Sequence, residues 1–111
     1  MVPIRHVVLF TPKPELSAAE AQNVFDDMLA LKDRCVKPDT KQAYIQSLVG
    51  GKDNSPEGMQ QGLTHIFIVE FASAEDRDYY VNMDPAHRAF VEKHAPSLAK
   101  AQVVDFTPGV F

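Results

Sequence analysis

Residues 64–71, Thr64-His65-Ile66-Phe67-Ile68-Val69-Glu70-Phe71, read as a strand, yet they are apolar on both of its parities. One parity carries Thr64, Ile66 and Ile68, and the other His65, Phe67, Val69 and Phe71. A strand with one wet face would place polar residues along that face. The same double pattern recurs in residues 3–10 (PIRHVVLF), where Arg5, Val7 and Leu9 alternate with Ile4, His6, Val8 and Phe10. Both segments are predicted as central strands of a sheet covered on both sides.

Outward from these strands the rest of the chain falls into place. Thr11-Pro12-Lys13-Pro14 stops the first strand. Ser17 with Glu20 makes a capping box, and Val24, Met28 and Leu31, widened by Phe25 and Leu29, form an apolar stripe to Arg34. Residues 43–49 alternate as a second strand, and residues 50–62 are a polar, turn-rich connection. Ser73, with Asp76 three residues on, starts a second helix that breaks near residues 82–84 and restarts with Pro85 in a first-turn position. Pro96 breaks it again, and residues 102–106 are a fourth strand. The order is β-α-β-β-α-β, so the fold expected is α+β and ferredoxin-like: a four-stranded antiparallel sheet with two helices on one face.

Two helices cover only one face of that sheet. Leaving about six apolar side chains wet on the other would forgo on the order of 10 kcal/mol, comparable with the whole stability of a domain. A second copy packed sheet to sheet removes the loss, and a homodimer is expected. At 111 residues the chain is read as a single domain, 1–111. Net charge −4 without a basic run weighs against nucleic-acid and membrane partners. The single Cys35 allows no internal disulfide, the N-terminus lacks a signal-peptide pattern, and a cytoplasmic protein is the expectation.

Polar residues that interrupt the apolar pattern are the candidates for chemistry. His6 and His65 each sit near the start of a central strand, His87 follows Asp84-Pro85-Ala86, and Asp105 lies between Val104 and Phe106. A buried ionisable group finds a partner or shifts its pKa. An imidazole beside a carboxylate is a minimal general base, so His87 with Asp105 is the pair to look for. Tyr80, seven residues before His87, would share its face on a continuous helix and could donate to an oxyanion. Tyr79 competes for that role. Structural readings stand beside these: satisfied core histidines at 6 and 65, a surface first-turn residue at 87, and an Asp105 pairing with Arg5 or a helix terminus. His94 reads as a solvated helix end. No spacing supports a metal site, a phosphate loop or a nucleophile motif, so neither metal nor cofactor is expected.

Residues 4–10 (IRHVVLF), 64–67 (THIF), 84–87 (DPAH) and 104–108 (VDFTP) together resemble the stress-responsive dimeric α/β-barrel (Dabb) family, in order and over nearly the whole chain. The resemblance implies two ferredoxin-like protomers whose sheets close into a barrel. It also implies the cofactor-free aldol chemistry of a plant polyketide cyclase in the family, led by a tyrosine and a histidine. That histidine falls on His87, the strand histidines on His6 and His65, and the strand aspartate on Asp105. The tyrosine falls between Tyr80 and Val81, because the stretch before Pro85 is one residue longer here.

The function expected is cofactor-independent acid/base chemistry, a cyclisation or lyase step, on a polyketide-like or other apolar carbonyl compound. His87, Tyr80 and Asp105 would be catalytic, and His6, His65 and Phe67 would line the substrate site. The alternatives are a non-catalytic stress or ligand-binding dimer and a cofactor-independent monooxygenase.

Overall fold

The computed structural model describes residues 2–111. Its elements run β1 (Ile4–Pro12), α1 (Ala18–Arg34), β2 (Ile45–Lys52), β3 (His65–Phe71), α2 (Ala74–Asn82), α3 (Pro85–His94), a 3-10 turn (Ala95–Ser97) and β4 (Leu98–Phe106). One antiparallel sheet holds all four strands in the order β2-β3-β1-β4, which is the ferredoxin-like arrangement.

Local signals account for the helices. The Ser17 hydroxyl accepts from Glu20 N while the Glu20 carboxylate accepts from Ser17 N, closing the capping box of α1. Val24, Met28 and Leu31 then face the sheet and are buried. Ser73 caps α2 by accepting from Asp76 N. The second helical segment is two helices rather than one. Met83 and Asp84 leave the helical path, both donating their N–H to Tyr79 O, and Pro85 opens α3 with Asp84 as its cap.

Antiparallel pairing sets which side chains share a face. On the helix side stand Ile4, His6, Val8 and Phe10 of β1 and Phe67, Val69 and Phe71 of β3, all buried. Gly50 of β2 lies so close to the Phe67 ring that a Cβ there would come within 2.3 Å of it, so no larger residue fits. On the far side, Val7, Leu9, Ile66 and Ile68 form an apolar stripe flanked by Val49 and Val104, with an Arg5–Glu70 ion pair (2.7 Å) at one end. Among the described residues no helix covers this face, and Val49 and Val104 are 58% and 50% exposed.

Three readings of the sequence need correction. The fourth strand starts at Leu98, not residue 102, because Phe10 to Pro12 of β1 recruit Leu98 to Ala101 by pairing despite their weak strand propensity. The second strand likewise runs on through Gly50 and Gly51 to Lys52, held by β3. His94 is not solvated. It is 3% exposed, with Nε2 2.7 Å from Asp27 Oδ2, where α3 packs on α1.

Candidate active site

A cavity of about 170 Å³ lies between the helix face of the sheet and the α2–α3 corner. Val8, Phe10, Met28, Phe90 and Leu98 line most of it, and its polar side chains are His6, Tyr80 and His87. Towards the edge strand β4 it adjoins a wider depression of about 550 Å³, whose wall includes Arg77, Asp78 and Asp105. His6, His87, Val91 and Val103 border both spaces.

Pairing opposite β4 decides the state of His6. His6 and Asp105 are direct partners across β1 and β4, on the same face. His6 Nδ1 lies 2.7 Å from Asp105 Oδ1, and Arg77 Nη1 donates to Asp105 Oδ2 at 2.9 Å. A carboxylate only accepts. The proton therefore sits on Nδ1, and Nε2 keeps its lone pair. Burial lowers the pKa of this imidazole, the Asp105 charge opposing it. The ring is a neutral base held in one tautomer.

His87 stands in the first turn of α3, half-buried. Its ring is 4.1 Å from that of Tyr80, and the Tyr80 ring is 5.6 Å from that of His6 (centroid distances). The break between α2 and α3 thus keeps Tyr80 and His87 together although no continuous helix joins them. Burial and then the proximity of His6 lower the pKa of His87, while the charge of Asp84 raises it. Tyr80 is 1% exposed, and burial holds its hydroxyl above the ordinary phenol range. It stays protonated and able to donate.

The structure brings His6, Tyr80, His87 and Asp105 to one end of the sheet, but not in the pairs expected. Asp105 serves His6 and Arg77, not His87 and not Arg5, because the β1–β4 register sets it opposite His6. Tyr79 turns away from the cavity, with its ring 5.5 Å from that of Tyr44. His65 and Phe67 do not line the cavity that holds His87. Because β1 and β3 are antiparallel, their starts lie at opposite ends: His6 faces Val69, while His65 faces Phe10. His65 stacks on Phe25 at 4.0 Å beside a separate cleft that Phe67 floors. Arg77 had not been singled out; only the β4 pairing reveals its part.

A family model described as the stress responsive A/B barrel domain matches residues 4–108. The chain is 28% identical over 106 residues to olivetolic acid cyclase of Cannabis sativa, covering 95% of this chain and 96% of that protein. A solved hydroxynitrile lyase from Passiflora edulis has a TM-score of 0.84 at 21% identity, covering 99% of this chain and 97% of that one. A dimeric ferredoxin-like protein of unknown function from Thermobifida fusca has a TM-score of 0.72 at 20% identity, with 96% and 91% covered. At those identities the two solved structures speak for the fold. The family model spans β1 to the end of β4 and beyond, and the chain belongs to the stress responsive A/B barrel domain family.

Proposed function

We propose that this chain is the protomer of a homodimeric, cofactor-free enzyme that performs acid/base chemistry on an apolar, polyketide-like carbonyl compound. The observation that carries the reading is the cavity itself, apolar except for two pKa-lowered imidazoles and one protonated phenol. Such a site can hold a carbonyl compound dry and move a proton beside its carbonyl group. The similarity to a cyclase supports this direction of chemistry.

In the proposed step, the lone pair of His87 takes a proton from the carbon next to a carbonyl. The electron pair of that C–H bond moves into an enolate, whose oxygen accepts a hydrogen bond from the Tyr80 hydroxyl. The enolate carbon then attacks a second carbonyl of the same molecule, and the alkoxide formed takes the proton back from His87. His6, fixed by Asp105, lines the same space and can hold a substrate hydroxyl on Nε2. The reverse order of steps is a lyase reaction.

The uncovered sheet face supports the dimer, as does the dimeric relative of the same fold. Ile68→Asp, which puts a charge in the centre of that face, should give monomeric or unfolded protein at micromolar concentration. Sedimentation of a well-folded wild-type monomer would sink the dimer. The enzyme reading is tested with α-deuterium exchange of long-chain alkyl methyl ketones, followed by NMR. His87→Ala should slow exchange by roughly 10²–10⁴-fold while costing only about the 0.5–1.5 kcal/mol of its ring contact with Tyr80. Equal exchange in wild type, variant and buffer would remove the acid/base role.

A second reading, a ligand-binding stress protein without turnover, rests on size. The cavity of about 170 Å³ is smaller than the roughly 300 Å³ at which small-molecule sites begin. A ketone that raises the melting temperature without exchanging its α-hydrogens would favour it.

A further inference from the structure

With Asp105 committed to His6 and Arg77, His87 is left without the carboxylate expected for it. Another carboxylate stands beside the turn that carries His87. Asp84, 2% exposed, accepts from Ala86 N at 2.8 Å through Oδ1 and from the Tyr44 hydroxyl at 2.5 Å through Oδ2. Its own N–H donates to Tyr79 O at 2.9 Å. Three parts of the chain therefore converge on it: the end of α2, the first turn of α3, and the segment leading into β2. Capping alone would not require a charge, since Asn or Ser caps as well. Keeping a carboxylate dry is costly unless its charge is used or compensated.

No cation compensates it: among the described residues no Lys, Arg or His forms an ion pair with Asp84. The Cys35 thiol at the end of α1 and the Tyr44 hydroxyl are both raised in pKa, chiefly by burial, and stay neutral. Around the His87 ring the other groups are His6 from β1, neutral Tyr80 from α2, and Arg77, Asp78 and Asp105 across the depression. Arg77 is bonded to both of those carboxylates, at 2.7 and 2.9 Å. Asp84 is thus a buried carboxylate held by hydrogen-bond donors but by no cation, three residues before the ring at the cap of the same helix.

We propose that Asp84 is the positioning residue for His87: its cap sets where the ring stands, and its charge favours the proton that the ring takes up. This rests on the role given to His87 above. The Tyr44 hydroxyl, bonded to Oδ2, keeps the carboxylate in place, so Tyr44 belongs to the same device although it lies outside the cavity.

The test is an NMR titration of the His87 ring in the full chain, for wild type, Asp84→Asn, Asp84→Glu and Asp105→Asn. Asp84→Asn keeps a capping side chain but should lower the His87 midpoint, and the acid limb of the ketone-exchange rate should move to lower pH with it. Asp84→Glu should recover much of the wild-type midpoint. Asp105→Asn should shift His6 and move His87 less than Asp84→Asn does. A His87 midpoint unmoved by Asp84→Asn overturns the proposal. Should that variant not fold, the wild-type protein decides, because coupling is reciprocal: the Asp84 carboxyl carbon must show a step at the His87 midpoint, and a flat trace there overturns the proposal equally. A protein with the coupling but without ketone exchange keeps this assignment and loses the acid/base reading.

Discussion

The helix-covered face of the sheet has a histidine at each end, and the two ends are built differently. At the β4 end, His6 is 5% exposed, bonded through Nδ1 to a carboxylate that is itself held by Arg77, and set beside a second imidazole and a buried phenol. At the other end, His65 is only half-buried. Its Nδ1 lies 2.8 Å from the Thr64 hydroxyl, which also donates to Phe10 O, and its ring stacks on Phe25. Neutral partners and an aromatic stack hold a ring in place. A carboxylate with its own cation also selects a tautomer and raises basicity. Two histidines in equivalent positions near the starts of neighbouring strands therefore have different prospects, and the difference comes from what the adjoining strand places opposite them.

The sharpest way to break this contrast is to remove the polar partner at each end. Asp105→Asn leaves a hydrogen-bonding group beside His6 but deletes the charge and one anchor of Arg77. Ketone exchange should fall towards the roughly 10²–10⁴-fold limit of a lost acid/base group. Stability should fall by only about 1 kcal/mol, since Asn can still bond to His6 and the Arg77 bond lies at the surface. Thr64→Val removes the equivalent partner of His65 and should leave exchange within about twofold, as substitutions away from a reacting centre do. Equal losses in the two variants would mean that both ends serve one site, as two protomers sharing residues could arrange.

Acidification gives a second, smaller contrast. His6, His87 and His65 all have lowered pKa values, for which burial is the first cause in each. Each ring stays neutral in the fold at pH values where the unfolded chain takes a proton. Between the lowered folded value and the ordinary one, about 6.5, the unfolded state therefore binds more protons. Stability rises with pH across that window and is lost as pH falls through it. Urea midpoints measured from pH 8 to pH 5 should show this loss, and His6→Gln should flatten the curve more than His65→Gln, because His6 is the more deeply buried. The same slope in both variants would erase the distinction. A separate loss belongs below pH 4, where Asp27, held far below the carboxylate range by His94 and Lys93, takes up its proton.

Much of this architecture could be read from residue patterns. Apolar residues on both parities of residues 3–10 and 64–71 marked the central strands, and Ser17 with Glu20 marked the start of α1, because each signal is local. His6 and His87 were legible as polar interruptions of the apolar pattern, and Tyr80 by its seven-residue spacing from His87. What escaped depends on register. Whether Asp105 meets His6 or His87 turns on which β4 residue faces which β1 residue, and shifting the pairing by two would change the partner without altering either pattern. Asp84 and Tyr44 are 40 residues apart, with β2, β3 and α2 between them, and their meeting depends on tertiary packing that no local pattern announces. Asp27 and His94 meet only because α3 packs on α1, which no property of residues 93–96 announces. The placement of His65 was within reach, since neighbouring antiparallel strands always begin at opposite ends.

The smallest expected effect bears most directly on what His65 is for. Its ring lies flat against Phe25, 4.0 Å between centroids and 24° between planes, over a cleft flanked by Lys52 and Gly51. That stack and the Thr64 bond hold the ring, and neither reaches the cavity of His6 and His87. His65→Ala should cost about 0.5–1.5 kcal/mol, the scale of one aromatic pair, while ketone exchange stays within about twofold of wild type. Chemical denaturation and the exchange assay on the same preparation check both halves. Phe25→Leu then serves as the control: if the stack is what His65 contributes, the double loss should be smaller than the sum of the two single losses, because both changes remove that one contact. A His65→Ala protein of full stability but failing exchange would place the ring in the reacting site after all, and would require the second protomer to bring it there.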